Sequence, residues 1–412
     1  MTHIVILGAG FGGIHTALDL DKQFARNSEI KITIIDTHDY QLFHEQLYEV
    51  ATAEEELTET KVLKKSITVP LADIFRHTRV DVLKGKVVGV DSASQKVLLE
   101  GAEPVSFDYL VLAIGSTTDY FNIPGAQEHS FALKSLKDAL LIRNEISFTI
   151  ERYRMDVSKK NIRIIVAGGG YTGCEFAAEL ANMIEILALK NNYPAEKIEI
   201  VILEAMSELI PGLDSRLSED TYNRMRSLGV RIQLSSMVTS VEDGFVELAS
   251  GEKEAFDILV WAAGVKAKSL PFIGSAEPMD RKERFNTKTC LQLLNHQNIF
   301  SLGDCACIFD ASGRPVAPTA QNAIHQAHHI AYSIKEIIAG RVPGDYVPIE
   351  HGLIVTLGGK WSIFRYSGWY IKGRVGWWLR LASNLRYFAR IVGWAKALRI
   401  VLLQTELYSR ND

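Results

Sequence analysis

Two stretches of this chain repeat one arrangement of glycines in one setting, and that repetition constrains the fold more than any other feature. Gly8-Ala9-Gly10-Phe11-Gly12-Gly13 follows an apolar run over residues 3–7 and leads into an amphipathic segment over 14–24. Gly168-Gly169-Gly170-Tyr171-Thr172-Gly173 follows the run 161–166 and leads into a helical pattern from Cys174 onward. In each case a second apolar strand comes next and ends in an acid: 31–35 runs into Asp36, and 197–203 into Glu204. Gly8 and Gly168 permit a tight turn, Gly10 and Gly170 let backbone approach a ligand, and Gly12, Gly13 and Gly173 let the helix pack close to its strand. The helix N-terminus then faces a phosphate with free N–H groups and its positive dipole end, with Tyr171 among the residues around the second such site. The carboxylates of Asp36 and Glu204 suit paired ribose hydroxyls, so two bound dinucleotides are expected. Glu204 repels a 2′-phosphate and no Arg or Lys follows closely, which favours NADH over NADPH.

Two further runs, 107–115 and 256–264, read as strands that end in small residues, Ala113 and Gly115 in one and Gly264 in the other. Small residues there let the chain pass beneath a bound dinucleotide. Another strand, 298–304, ends in Gly303-Asp304. At 412 residues the chain is too long for one core and implies two or three domains. A net charge of −4 gives no reason to expect nucleic acid as a partner. The four cysteines, Cys174, Cys290, Cys305 and Cys307, have no disulfide-framework spacing and fit a reducing compartment. The N-terminus lacks the basic region of a signal peptide, and no uncharged apolar run reaches the roughly 18 to 20 residues of a spanning helix.

In this order the motifs resemble the two-dinucleotide-binding flavoproteins, in which an FAD half is interrupted by an NAD(P)H half. The resemblance covers roughly residues 3–340 and implies that Gly303-Asp304 contacts the ribityl–pyrophosphate part of FAD. Disulfide reductases of that superfamily need a redox cysteine pair to relay electrons. Here no cysteine precedes Cys174, and Cys305-Ala306-Cys307 and Cys174 are weak candidates for redox work. Sulfide:quinone oxidoreductases fit less well, because the second glycine loop with Glu204 implies a nicotinamide. More closely, the chain resembles the type II NADH dehydrogenases, the single-subunit, non-proton-pumping NADH:quinone oxidoreductases. The resemblance is carried by residues 43–52, Phe-His-Glu-Gln-Leu-Tyr-Glu-Val-Ala-Thr, by Gly173-Cys174-Glu175, and by Ala320-Gln321-Asn322-Ala323-Ile324-His325. It implies that Thr52 and Ala320 contact the cofactor and that Glu175 lies between nicotinamide and flavin. The last motif departs from the family's Ala-Gln-x-Ala-x-Gln: its second glutamine is His325, with Gln326 beside it.

Thr319 reads as the N-cap of a helix whose positive end favours an anionic reduced flavin. Gln321 and His325, one turn apart, can both reach a quinone carbonyl, and an imidazole can also supply protons. Glu175, read in the first turn of its helix, is expected to gate or handle protons. His328 and His329 mimic metal-ligand spacing without a cluster of partners, so no metal is expected.

From Lys360 onward ten Lys or Arg face two acids. Arg380, Arg386, Arg390, Lys396 and Arg399 interrupt the apolar stretches of 373–403, so helices there can lie on an anionic membrane surface but not cross it. Trp377, Trp378 and Trp394 suit the headgroup region, and a dimerisation helix pair is the competing reading. By the resemblance, Arg380 lies near the flavin and quinone site. The expected fold class is therefore α/β: two Rossmann-like dinucleotide-binding domains, the FAD domain interrupted by the NADH domain, plus a C-terminal amphipathic helical membrane-anchoring region. The expected boundaries are 1–120 and 271–345 for FAD, 121–270 for NADH and 346–412 for the anchor. The expected activity is transfer from NADH through FAD to a membrane quinone by a homodimer peripheral to the cytoplasmic face of the cell membrane. A sulfide:quinone-like enzyme or a low-turnover FAD/NADH redox sensor are the alternatives.

Overall fold

The computed structural model describes residues 1–53, 60–155, 161–212, 214–274, 276–349 and 352–410. It divides into two compact units, each assembled from three stretches of chain. One comprises Met1–Gln41, Val69–Thr117 and Val265–His351; the other comprises Leu42–Thr68, Thr118–Gly264 and Gly352–Asp412.

The first unit is built on a parallel sheet in the order Ile299–Ser301, Tyr109–Leu112, Thr2–Leu7, Ile30–Asp36, Val80–Lys84. Ile4, Val5, Ile6 and Leu7 are all fully buried, as a central parallel strand covered on both faces must be. The helix after it, Phe11–Gln23, starts inside the glycine loop, three residues ahead of the expected 14–24, because Gly10 already serves as its N-cap. A second helix, Ala320–Ile338, packs against it. A smaller sheet of Phe272–Ile273, Val87–Asp91, Lys96–Leu99 and Ala102–Ser106 stands beside these, and Leu7, Leu112, Phe285 and Ile299 share the core.

The second unit repeats the plan. Its parallel sheet runs Phe131–Ala132, Ile258–Trp261, Ile162–Ala167, Ile198–Leu203, Arg231–Gln233. The helix after its first glycine-bound strand, Tyr171–Lys190, likewise begins within the loop at Gly170 rather than at Cys174. Leu47–Thr52 and Thr60–Ile67 pack into the same core as this helix, joined by Val355, Leu357 and Ile363 from the end of the chain.

The C-terminal stretch opens with three antiparallel strands, Leu353–Thr356, Ser362–Tyr366 and Trp369–Gly373. The third is formed by a hairpin turn at Ser367-Gly368, where both residues take positive φ, 46° and 83°, the geometry of a tight two-residue hairpin loop. Two helices follow, Arg374–Val392 and Trp394–Arg410, parted at Gly393, whose φ of 77° ends the first. They are not all surface. Trp377, expected among headgroups, is only 2% exposed, whereas Trp378 and Trp394 are 64% and 69% exposed. Phe388 stacks on Phe43 at 5.0 Å, and Gln404 Nε2 donates to Ser66 O at 2.9 Å. Among the described residues no helix is long and apolar enough to cross a membrane.

Candidate active site

The two glycine loops share one construction. Gly8 and Gly168 sit at φ 101° and 109°, and a Cβ on either would strike the next strand end, 2.3 Å from Ala113 O or 2.5 Å from Ala263 Cα. At the third glycine of each motif, a Cβ would lie 1.8 Å from Gly8 O (Gly13) or 1.9 Å from Gly168 O (Gly173), so only glycine lets helix and strand approach. Gly12 has a separate reason: its missing Cβ leaves room for Leu302. Gly10 and Gly170, by contrast, have open space where a Cβ would be. Both are helix N-caps without a side-chain cap, unlike Asp214 and Thr319, whose side chains accept from Arg216 N and Asn322 N at the starts of their helices. Uncapped N–H groups facing open space fit a phosphate.

The acids lie where the motif requires. Asp36 accepts from Ala9 N at 2.7 Å and His38 N at 2.8 Å; Glu204 accepts from Gly169 N at 2.6 Å and Met206 N at 2.8 Å. Gly115 needs its freedom for a φ of 72°, while Gly264 needs its bareness because a Cβ would lie 2.7 Å from the Phe121 ring. Ala113 is thus a packing partner of Gly8 as well as a strand end.

Further along the first unit, Gly303 takes φ 68° and its N–H donates to Gln326 Oε1 at 2.7 Å, while Ser116 Oγ donates to the Asp304 carboxylate. Ala320 opens the helix that Thr319 caps at 3.2 Å, as expected. Gln321, in its first turn, is exposed. His325, half-buried, has Nδ1 3.2 Å from Tyr346 Oη. Gln326 and Tyr346 were not singled out as site residues; Gln326 is 3% exposed and Tyr346 7%. Gln326 had a signal in its place next to the departing His325, whereas Tyr346 sits in an irregular stretch with none.

The second unit gathers carboxylates around one guanidinium. Arg380 Nη2 donates to Glu49 Oε1 at 2.9 Å and its Cζ lies 5.7 Å from the Tyr48 ring centre. Glu175 Oε1 accepts from Thr356 N at 3.2 Å, and Glu179 Oε2 accepts from Gly359 N at 3.0 Å. The two glutamates are one helical turn apart and both fasten the same strand-to-strand connection. Glu175 is the fifth residue of its helix, beyond the first turn assigned from sequence, so it faces this cluster rather than the phosphate site. Burial pushes the Glu49 and Glu175 carboxyls up to about 8, with Arg380 pulling against the rise in both. Arg380 itself is lowered by burial, but Tyr48, Glu49 and Glu175 outweigh this and hold its charge on. It is 7% exposed, so it is an internal ion-pair partner and not one of the cations facing a membrane. Carboxyls poised near neutrality can take up and release protons at working pH. Thr52 is buried with its hydroxyl donating to Tyr48 O at 3.0 Å, so it supports this cluster from its own helix.

All four cysteines are free thiols. Cys174 is fully buried, its Sγ 3.2 Å from Gly169 O, and burial, then Glu175 and Glu204, push its thiol up. Burial likewise raises Cys305 and Cys307. These three thiols are thus pushed away from the depressed pKa of a reactive thiolate. Tyr171, the first residue of its helix, has its phenol raised to about 12 by burial and by Glu175.

The family model described as pyridine nucleotide-disulphide oxidoreductase matches residues 2–327. A type II NADH:quinone oxidoreductase from Staphylococcus saprophyticus is 28% identical over 396 residues, 95% of this chain and 96% of that protein. Its counterpart from Staphylococcus aureus is 28% identical over 397 residues, with the same coverage. Among solved structures, NDH2 from Plasmodium falciparum in complex with NADH superposes with a TM-score of 0.84 at 17% identity, covering 98% of both chains. The sulfide:quinone oxidoreductase of Aquifex aeolicus gives 0.75 at 19% identity, covering 96% of this chain and 93% of that one. At these identities the structural likeness speaks to the fold.

Proposed function

Since the chain belongs to the pyridine nucleotide-disulphide oxidoreductase family, we propose that it transfers electrons from NADH through FAD to a quinone, without pumping protons. The observation that carries this reading is the duplicated cradle: an uncapped helix N-terminus, open space at Gly10 and Gly170, and an acid tied to the loop, once in each unit. FAD, when bound, supplies the two-electron carrier between donor and acceptor. Gly8, Gly10, Gly12, Gly13, Asp36, Ala113, Gly115, Gly303, Asp304 and Ala320 hold it, in the first unit. Gly168, Gly170, Tyr171, Gly173, Glu204 and Gly264 hold NADH, in a domain of residues 121–270.

Glu175 and Arg380 manage protons and charge, and Gln321 and His325 address the quinone carbonyl. Neutralising Glu175 as Glu175→Gln tests its role: unchanged flavin reduction and unchanged quinone reduction in the FAD-loaded variant would remove it. Cys174, Cys305 and Cys307 are buried and pushed up, which argues against a sulfide-oxidising relay through them and for the nicotinamide route. Mixing the FAD-loaded protein with NADH and a soluble quinone analogue tests the whole reading. Rapid bleaching followed by quinone-dependent reoxidation is expected; a persistent reduced complex would instead indicate a redox sensor.

The region 346–412 docks on the cytoplasmic face of the cell membrane in a homodimer. Support comes from Trp369, Val375, Trp378, Trp394, Leu398 and Leu402, all more than half exposed, alongside the basic excess after Lys360. Deleting this region would also strip Arg380 from Glu49, so point changes are the cleaner test. Trp378→Ser with Trp394→Ser is expected to release the protein from anionic liposomes with FAD retained. Undiminished binding would favour the helix pair as a dimer contact.

A further inference from the structure

We propose that Arg224 is a positioning residue for Glu175: its guanidinium holds the turn Leu357–Trp361 against the helix Tyr171–Lys190, so that the Thr356 N–H stays on the Glu175 carboxylate. The inference deepens the reading of Glu175 as a proton-handling group and rests on it for its effect on turnover.

The turn joins the strands Leu353–Thr356 and Ser362–Tyr366, and its sequence, Leu-Gly-Gly-Lys-Trp, dictates its shape. Gly358 and Gly359 take φ of 78° and 57°, a left-handed pair that glycine enters at no steric cost. Leu357 N–H closes the turn by donating to Trp361 O at 2.9 Å. The turn lies directly on the helix, since a Cβ on Gly358 would sit 2.8 Å from Ala178 O. Glu175, Ala178 and Glu179 stand at i, i+3 and i+4, one face of that helix. The two carboxylates on this face accept from Thr356 N at 3.2 Å and from Gly359 N at 3.0 Å.

The carbonyls of the turn need donors of their own, because its left-handed residues cannot continue the ladder and Leu357 is fully buried. Arg224, in the last turn of the helix Ser215–Ser227, supplies them: Nε donates to Leu357 O at 3.0 Å and Nη2 to Gly358 O at 3.4 Å. The guanidinium also faces the Trp361 ring, 5.2 Å from its centroid, within cation–π range. With its N–H groups pinned by two glutamates and its carbonyls by one arginine, the turn has a single seat. Of the two carboxylate bonds, the one to Glu175 is the longer and lies at the outer end of the N–H···O range, so a slip of the turn opens it first. Burial raises the Glu175 carboxyl, and Arg380 and the Thr356 N–H oppose that rise by favouring the charged form. The other titratable groups that face Glu175 are Glu45 and Tyr48, from the segment 44–52, and Tyr171 and Cys174 on its own helix. Arg224 instead meets backbone carbonyls and a ring, and so acts on Glu175 through the turn.

The test uses FAD-loaded protein labelled with 13C-glutamate. The protonated carboxyl of Glu175 is read by its infrared C=O band, identified by its loss in Glu175→Gln and followed across pH. The parent band should titrate at about 8. Arg224→Met is expected to raise the proton affinity of Glu175 about ten-fold, the low end of what one hydrogen bond to a charged group is worth. The pH profile of flavin reduction by NADH should move with it. Arg224→Lys keeps the charge, but a single ammonium cannot span both carbonyls, and it should still raise the affinity about three-fold. As the milder change it decides alone should the methionine variant not retain flavin. An unshifted band in flavin-loaded Arg224→Met overturns the proposal. So does an Arg224→Lys protein that titrates like the parent, because a charge acting through space would then suffice. If the band shifts as expected while the flavin-reduction profile stays in place, the link from Arg224 to Glu175 is upheld and the proton-handling reading of Glu175 is the part that fails.

Discussion

In the first unit the acid at the strand end is Asp36 and the loop residue that donates to it is Ala9; in the second they are Glu204 and Gly169. The hydrogen bonds are nearly the same length, 2.7 and 2.6 Å. Glutamate carries one more methylene than aspartate, and the second loop lacks one methyl group compared with the first. A Cβ on Gly169 would lie 3.1 Å from Glu204 Cβ and Oε2, and 2.6 Å from Leu209 Cδ2. The methyl present on Ala9 and absent at 169 is thus exchanged for the longer acid, which is 7% exposed. The two loops keep one contact by trading atoms across it, and this is why the middle position of a glycine loop cannot be read without the acid some 30 residues on.

The largest effect should come from the glycines that the two halves share. Gly13→Ala and Gly173→Ala each place a methyl within 2 Å of a loop carbonyl, at 1.8 and 1.9 Å, an overpacking cost of about 3 kcal/mol or more. Gly13→Ala is expected to yield protein without flavin, judged by its visible absorption. Gly173→Ala should keep flavin while its KM for NADH rises at least about ten-fold, roughly 1.4 kcal/mol. Loss of flavin in both would mean that the halves do not divide the two nucleotides as proposed.

A second difference between the units is electrostatic. Glu49 and Glu175 are held at about 8 by burial, against about 4.3 in an unfolded chain. The folded state therefore binds more protons than the unfolded one between these values. Stability contributed by this cluster is full below about pH 4 and is lost as pH rises through about 8. Thermal unfolding should show a fall of several degrees from about pH 5 to about pH 8, and Glu175→Gln should flatten part of it. A melting temperature that climbs over this interval in the parent protein contradicts the assignment.

The atom exchange itself can be tested next. Gly169→Ala alone is expected to weaken NADH binding by about 1–2 kcal/mol, and Glu204→Asp should partly rescue it, re-creating the pairing of the first unit. Simple additivity of the two changes in a double-mutant cycle would show that the trade is coincidental. The smallest effect concerns specificity: Glu204→Gln should narrow the preference for NADH over NADPH by a few-fold, roughly 1 kcal/mol, in the ratio of kcat/KM values.

Much of this architecture was legible in the chain, because the glycine loops are steric requirements that repeat with their strands and acids. Gly13 and Gly173 are required by contacts five residues back, and Gly8 and Gly168 by a positive φ of their own, so these requirements leave a local signature, although the strand ends that Gly8 and Gly168 must clear lie about a hundred residues on. The carboxylate cluster was legible only at Glu175 and Arg380, through resemblance. Glu49 and Glu179 became visible only once residues 331 positions apart, or a helix and a distant hairpin, were brought together. The same holds for Tyr346, whose phenol meets His325 only across 21 positions of chain. Trp377 was misplaced because amphipathic periodicity does not say which of two adjacent tryptophans faces inward. The strand Trp369–Gly373 was missed because its turn, Ser367-Gly368, is a weak hairpin signal beside the helical pattern that follows.

The ion pair between Glu49 and Arg380 also bears on how the protein is made. The stretch that begins at Leu42 leaves the ribosome well before the side chain that pairs with Glu49, 331 positions further along the chain. At roughly 5–20 residues per second, the interval between them is on the order of tens of seconds. During that time Leu47, Val50 and Ala51, all at most 3% exposed in the finished molecule, lack the C-terminal part of their cover. Nascent chains stalled before Arg380 should therefore be the ones most prone to chaperone capture and proteolysis, and release of the helix pair that carries Arg380 would mark the moment when the segment from Leu42 is locked.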